Sequence, residues 1–408
     1  MPFRIAYIVT HPIQYQAPLL KYLAGSGDID LQVFYLSDFS LHAHYEHSFR
    51  QTFKWDTEIT EGYRWEVLPR ALIGPSTPPR PWLPLRRLSQ RLRAGGFDAV
   101  WVHGWAHIGL CQAIEAAAAN HIPVLFRGES LLNPTSENNL RSRARASFYR
   151  NWLLPRVDAC LCIGTRNREF YQQLQVTDDR LFFMPYSVDN GFFQQRCADA
   201  RPHREGLRAS LGLAPGRPTV LFAGKLTGVK APDELLAAFA ALHQRLRDST
   251  PPYLLFAGAG PLRGSLEAAA RPLGDSVRFL GFRNQSELPA LYDLGDLFVL
   301  PSRFEPWGLV VNEAMNAARP IIVSDRVGAA ADLVEHGKNG FIYPSGNVAE
   351  LAAAMTRALE SANLRDQMGR ASQKRISAWN FAADKAGLLA ALNQVTQARY
   401  RQEKAFGG

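Results

Sequence analysis

The sequence predicts an α/β chain of doubly wound sheets in two domains, and three observations carry that prediction. Short apolar runs bounded by Gly, Pro and polar residues alternate with segments of helical period, the pattern of parallel strands joined by helices. With 408 residues the chain exceeds what one hydrophobic core usually takes. A charged, Gly- and Pro-containing stretch from Gln194 to Arg217 divides it. We therefore expect a first domain over residues 1–195, a linker over 196–217, a second domain over 218–378 and a C-terminal helix over 379–408.

Composition narrows the function. Apolar residues make up 47% of the chain, yet no run approaches the ~20 consecutive apolar residues of a membrane span. The opening MPFRIAYIVTHPIQ passes from a short strand-like run into polar residues, without a secretory-signal pattern, so a soluble, cytoplasmic protein is expected. Cys160 and Cys162 are too close for a disulfide or a C-x2-C knuckle and read as small core residues. The formal charge of +9 admits nucleic acid, an anionic membrane or anionic small molecules. No zinc spacing or RNA-recognition motif accompanies it, so nucleic acid is not an expected partner.

Taken in order, Arg4–Val9 reads as a buried strand and Ala17–Leu23 as a helix. In the loop between them, His11 and Gln14 read either as contacts to a donor or an acceptor, or as caps of that helix. After a second strand, Leu31–Ser37, come His42, His44 and His47; an exposed loop with a part in acceptor recognition suits them better than a metal site. Two segments, Arg80–Phe97 and Leu140–Arg156, interleave arginines with leucines and aromatics and contain no acid. They read either as basic amphipathic helices on an anionic inner-membrane surface or as helices packed on a sheet with solvated arginines.

Asp98–Trp105 and Pro123–Ser130 read as parallel strands separated by the helix His107–Ala119. Ligands of open α/β sheets bind beyond the carboxyl ends of strands, which makes His103, Arg127 and Glu129 candidates. His103 also reads as a buried histidine with a structural hydrogen bond. Strands Val157–Thr165 and Leu181–Asp189 close the first domain. In the second, a strand ending at Ala223 is followed by Lys225, Lys230 and a helix starting near Pro232. Two cations at one strand end suit a diphosphate, whose charge grows as its bond to a sugar breaks. Strands follow at Tyr253–Pro261, Val277–Phe282, Pro320–Asp325 and Gly340–Pro344, then helices over Val348–Ser377 and Asn380–Glu403. Gly258 and Gly260 lack the third glycine of a dinucleotide fingerprint.

The stretch Leu297–Ala318, LFVLPSRFEPWGLVVNEAMNAA, reads as strand, loop and helix. Glu305 precedes Pro306 and so belongs to the loop, whereas Glu313 lies inside the helix. Eight helical residues would hold the two about 12 Å apart, too far for an acid/base pair on one bond. They suit gripping the two ends of an elongated polar ligand. Between them the amides of Gly308, Leu309 and Val310 at a helix N-terminus form an anion site. A nucleotide-sugar matches all three features.

In its context FEPWGLVVNEAM, the Glu305–Glu313 pair resembles the Glu-x7-Glu signature of retaining glycosyltransferases of family 4. The resemblance is strongest across Pro218–Pro344 and looser over the first domain. It implies the GT-B fold, two Rossmann-like doubly wound domains facing a cleft, with the last helix crossing back onto the first. It implies transfer of a sugar from a nucleotide-sugar to a hydroxyl acceptor, a sugar or lipid-linked molecule, in cell-surface polysaccharide or lipopolysaccharide assembly. The configuration would be retained, with no enzyme nucleophile and no cofactor or metal. By this resemblance Glu313 takes the ribose and Glu305 the donor sugar. Lys225, Lys230 and the amides of Gly308 and Leu309 take the diphosphate, and Phe282 and Arg283 lie where the base is held. This chain departs from the family at several points: His11, Gln14 and Tyr15 stand where a glycine pair is common, and Arg127 where a sugar-contacting histidine is common. Lys225 replaces an arginine and Ala231 a glycine. Rival readings are another GT-B enzyme, an epimerase or hydrolase, and a catalytically silent sugar- or lipid-binding protein.

Overall fold

The computed structural model describes residues 1–46, 51–69, 85–131, 140–246 and 250–406. The chain forms two compact units, one of Met1–His44, Thr57–Tyr186 and Phe381–Gly408, the other of Tyr45–Asp56 and Ser187–Asn380.

In chain order, the strands of the first half are β1 (Phe3–Val9), β2 (Ile29–Tyr35), β3 (His44–Glu46), β4 (Gln51–Phe53), β5 (Arg64–Val67), β6 (Ala99–His103), β7 (Val124–Arg127), β8 (Ala159–Cys162) and β9 (Leu181–Phe183). Those of the second half are β10 (Thr219–Ala223), β11 (Tyr253–Ala257), β12 (Val277–Gly281), β13 (Leu297–Leu300), β14 (Ile321–Ser324) and β15 (Gly340–Tyr343). The first unit holds a seven-stranded sheet ordered β5-β2-β1-β6-β7-β8-β9, the second a six-stranded sheet ordered β12-β11-β10-β13-β14-β15. The strand pairs given a register in both sheets are parallel, and buried strands such as Val-Leu-Phe-Ala in β10 read as continuous apolar runs because helices cover both faces. β3 pairs with β4 in a separate two-stranded sheet.

Each large sheet reverses its strand order once on either side of a central pair, β1 and β6 in the first and β10 and β13 in the second. Loops leaving such a pair run to opposite sides and open a crevice at the carboxyl edge. β5 escapes the sequence reading because its four residues, Arg64 to Val67, are exposed or half-buried on an edge and form no continuous apolar run.

Residues 196–217, expected as a linker, are instead largely helical: Asn190–Ala200 and Arg204–Ser210 are helices of the second unit. The charged residues that suggested a linker are spent on that packing. Arg204 donates to the carbonyl of Leu294 at 3.1 Å and to Asp296 at 2.8 Å, and Arg201 pairs with Asp293 at 3.3 Å. The unit boundary therefore falls earlier, between Tyr186 and Ser187.

The helix Phe381–Phe406 packs in the first unit, where Leu388, Ala391 and Leu392 join the core of β1, β2 and β8. Asp384, on its first turns, meets Arg127 at 3.1 Å, with the two side chains 0% and 2% exposed. Arg127 also donates to the carbonyls of Met184 at 3.0 Å and Pro185 at 2.6 Å. Among the described residues no helix is long and apolar enough to cross a membrane. Of the two arginine-rich segments, residues 80–84 lie outside the described residues. The helix Leu88–Gly95 buries Leu88 and Leu92 in the core, and Phe148 and Trp152 stack at 5.1 Å beside Trp105.

Because Arg127 is enclosed, removing the carboxylate it bonds to leaves a buried charge without its hydrogen-bonded counter-ion. Asp384→Ala is expected to destabilise the first unit by about 3 to 5 kcal/mol, read from the shift of its urea unfolding transition.

Candidate functional site

In the second unit the crevice between β10 and β13 collects the residues that sequence singled out. The loop after β10 carries Lys225 and Lys230; the loop after β13 carries Glu305. They meet as an ion pair between Lys230 Nζ and Glu305 Oε2, with side chains 23% and 13% exposed. Ser302 Oγ lies 3.4 Å from the same carboxylate oxygen. Backbone contacts hold both loops in place. Arg303 N donates to Val229 O at 2.8 Å, its Nη1 to Gly228 O at 2.9 Å, and its Nε and Nη2 to Glu234 and Asp233 at 2.7 and 3.0 Å. The Glu234 carboxylate, followed by Asp233, raises the Arg303 pKa further. On the other side Glu305 N donates to Arg326 O at 3.1 Å and Gly328 N to Glu305 O at 2.9 Å, so the glutamate sits between the loops after β10 and β14.

Close approach of the loops demands particular glycines. A Cβ on Gly258 would stand 1.8 Å from the Gly224 carbonyl oxygen. The Gly258 and Gly260 pair is thus a packing device that seats the β11 loop against the loop bearing Lys225. Gly308, at φ 98°, turns the chain into the helix Leu309–Asn316. The amides of Leu309 and Val310, in its first turn, have no acceptor within the helix, and both residues are half-buried. Ala231 has φ 50° immediately before the helix Pro232–Arg245, a left-handed conformation that an alanine adopts at a cost.

Glu313 is placed differently from an open ribose contact: it is fully buried, and Tyr292 donates its hydroxyl proton to Glu313 Oε2 at 2.5 Å. Phe282, at the end of β12, is half-buried with its ring 4.7 Å from that of Phe53. Arg283 pairs with Glu287 at 2.9 Å. The β3–β4 segment, whose sequence gave no such indication, contributes here. Glu46 lies 3.9 Å from Lys225 Nζ, and Asn284 donates to the Lys54 carbonyl at 2.8 Å.

The first unit assembles a second cluster at the carboxyl ends of β1, β6 and β7. Burial, only partly opposed by Glu129, holds the His103 pKa below the ordinary histidine value, so the ring is neutral at pH 7. Burial, reinforced by Glu129, pushes the Tyr186 phenol well up. Burial would raise the Glu129 carboxyl, but the His103 ring, the Tyr186 hydroxyl and the Arg127 charge together hold it below its usual value. Tyr186 donates to Glu129 Oε1, so its oxygen accepts from His103 Nε2–H at 3.2 Å. The Gln16 amide nitrogen lies 3.3 Å from His103 Nδ1 and 3.1 Å from its Nε2, and Gln16 Oε1 accepts from the Tyr7 hydroxyl at 2.5 Å. Gln16 and Tyr7 went unnoticed in the sequence because nothing local marks them: Gln16 is 87 residues from His103.

Arg127, expected to face a ligand, is locked by Asp384 and two carbonyls, and its guanidinium lies 4.7 Å over the Tyr186 ring. His11 contacts Thr10 Oγ1 at 2.9 Å and its ring lies 4.8 Å from that of Phe39. Gln14 is buried, and its Oε1 has no hydrogen-bond partner among the described residues. His44 Nδ1 lies 3.0 Å from the His42 carbonyl, and His47 lies outside the described residues. Among the described residues no group of three or more His, Cys, Asp or Glu is placed to hold a metal ion.

Comparison with known proteins matches both halves of the chain. A family described as "Glycosyl transferase 4-like domain" covers residues 32–187, and one described as "Glycosyl transferases group 1" covers residues 203–375. An α-D-kanosaminyltransferase of Streptomyces kanamyceticus is 34% identical over 213 residues, 52% of this chain and 53% of that one. The chain spans about half the length of the curated relatives it matches. Among solved structures, sucrose-phosphate synthase from Thermosynechococcus elongatus superposes with a TM-score of 0.70 over 97% of this chain and 100% of that chain, at 20% identity. The Anabaena protein HepE, in complex with UDP-glucose, does so with a TM-score of 0.65 over 98% and 99%, at 17% identity. At these identities the likeness shows the fold.

Two outcomes follow from the geometry. The His103 ring should stay neutral at pH 7 and take its proton only below the ordinary histidine range, which imidazole NMR over a pH series reads directly. The proton-binding deficit of the folded state means that stability from this group is fully present above about pH 6.5 and falls as pH drops toward the folded pKa. Ala231→Gly should raise the melting temperature, since relief of about 1 to 2 kcal/mol of left-handed strain exceeds the entropic cost of about 0.5 to 1 kcal/mol.

Proposed function

We infer that this chain, which belongs to the family 4 glycosyltransferases of GT-B fold, moves a sugar from a nucleotide-sugar to a hydroxyl acceptor. The observation that carries the reading is the convergence of Lys230, Glu305 and the N-terminal amides of the helix Leu309–Asn316 at the β10/β13 crevice. A carboxylate that accepts hydrogen bonds from sugar hydroxyls and cations that neutralise a departing diphosphate are then adjacent.

In this reading Lys225 and Lys230, with the amides of Leu309 and Val310, hold the diphosphate. Lys230 exchanges part of its contact with Glu305 for phosphate oxygen, and Glu305 turns toward the donor sugar. Lysines keep the charge but lose the bidentate fork of arginine. Phe282, beside Phe53, offers a ring face to the base. Glu313 takes the ribose hydroxyls, a contact that requires its enclosed carboxylate to become accessible when the donor enters. The family resemblance implies retention without an enzyme nucleophile: the acceptor hydroxyl attacks the face that the nucleotide leaves, and a donor phosphate oxygen receives the acceptor's proton, while Glu305 holds the donor sugar.

The acceptor belongs to the first unit in this reading, and exposed arginines such as Arg87 and Arg143 suit a lipid-linked acceptor at an anionic surface. Surface polysaccharide assembly fits such an acceptor.

The decisive measurement is nucleotide release from UDP-, GDP-, ADP- and TDP-sugars by wild type, Glu305→Gln and Lys230→Ala. One donor should be cleaved selectively. Loss of a charge partner to the leaving group costs about 3 to 4 kcal/mol, so Lys230→Ala should lower turnover by a factor of about 10² to 10³ with an unchanged circular dichroism spectrum. Undiminished turnover would remove Lys230 from the donor site, and failure to bind any of the four nucleotides would favour a silent protein.

A further inference from the structure

The carboxyl edge of the first unit's sheet carries a polar frame that the donor chemistry does not use. Five side chains from four parts of the chain, Tyr7, Gln16, His103, Tyr186 and Glu129, form one hydrogen-bonded series. The first four are buried, whereas the Glu129 side chain at its end, although its carboxyl group is partly desolvated, is 49% exposed. A buried series that ends on an accessible carboxylate directs that carboxylate outward and restricts its rotation. On the loop leaving β1, the buried Gln14 carbonyl oxygen is an acceptor with no partner among the described residues. Such a group gains a full hydrogen bond when a ligand hydroxyl reaches it. The adjacent cation, Arg127, is 2% exposed, and its Nη2 donates to Asp384 and to the carbonyls of Met184 and Pro185, so its charge is enclosed and already faces a carboxylate.

We propose that Glu129 is a specificity-determining contact for the acceptor, receiving hydroxyl protons of a neutral sugar and rejecting acceptors that carry a carboxylate, with Tyr186 as the residue that positions it. The proposal rests on the glycosyltransferase reading for the meaning of "acceptor". Hydrogen bonds from hydroxyls to an ionised carboxylate are stronger than those to a neutral amide, and a uronic acid would bring a second anion to the same carboxylate. Glu129→Gln removes both effects together. Tyr186→Phe leaves the charge in place but frees its orientation and withdraws the acceptor of His103 Nε2–H.

The test is binding of matched glycosides to the full chain by saturation-transfer NMR, using methyl glycosides of glucose, galactose, mannose and N-acetylglucosamine, myo-inositol, and the glucuronide and galacturonide. Wild type should bind at least one neutral compound and bind its uronide at least about tenfold more weakly. Glu129→Gln should weaken the neutral compound about tenfold and bring the pair to within about threefold. Glu129→Asp, which retains the charge, should preserve rejection of the uronide even if affinity falls. Tyr186→Phe should weaken the neutral compound and change the ring ¹⁵N shifts of His103, which report its tautomer, a readout that loosened packing alone would not move. The proposal is overturned if no glycoside binds to wild type, or if Glu129→Gln leaves the neutral-to-uronide ratio unchanged. Titration of UDP, GDP, ADP and TDP on the same samples separates the two claims: nucleotide binding without glycoside binding sinks only the acceptor proposal, and glycoside binding without nucleotide binding sinks the donor reading.

Discussion

The single reversal of strand order in each parallel sheet is the constraint on which everything else depends. Parallel strands need crossover connections, and those on either side of β10 and β13 leave in opposite directions, so the two loops at the carboxyl edge part and leave a crevice between them. Lys230 and Glu305 lie 75 residues apart and meet because their strands are neighbours at that reversal. In the first unit the same reversal, between β1 and β6, brings Gln16 to His103.

Loops that converge in this way must be braced, since their backbone polar groups have few partners of their own. The bracing is shared among Arg303, which ties the β13 loop to the β10 loop and to the acidic first turn of Pro232–Arg245, and Gly258 and Gly260, which allow the backbones to touch. These contacts determine where Lys230 and Glu305 stand. The ion pair they position is partly buried, where attraction between charges is less screened than at the surface.

The first unit treats charge in another way. Arg127 and Asp384 are enclosed with two carbonyls as additional acceptors, a set that offsets the desolvation of a guanidinium. The same guanidinium lies over the Tyr186 ring, the last residue of that unit before the chain enters the other. A residue read as a ligand contact from its strand-end position is thus enclosed in an ion pair, and nearby in sequence Glu129 has a side chain that is about half exposed.

What the sequence by itself determined is what depends on neighbours along the chain. The period of apolar residues marked most of the strands and helices, and Pro306, Gly308 and the apolar run before them placed Glu305 on a loop and Glu313 in a helix, as found. Lys225 and Lys230 were legible because both follow one buried strand. Tertiary structure decided what depends on distant partners. The burial of Glu313 under Tyr292, the locking of Arg127 by a carboxylate 257 residues away, the series from Tyr7 to Glu129, and the packing of residues 196–217 in the second unit could not be read locally. A side chain's charge is written in its residue type, but whether that charge meets solvent, a ligand or a buried counter-ion is settled only when strands far apart in sequence become neighbours.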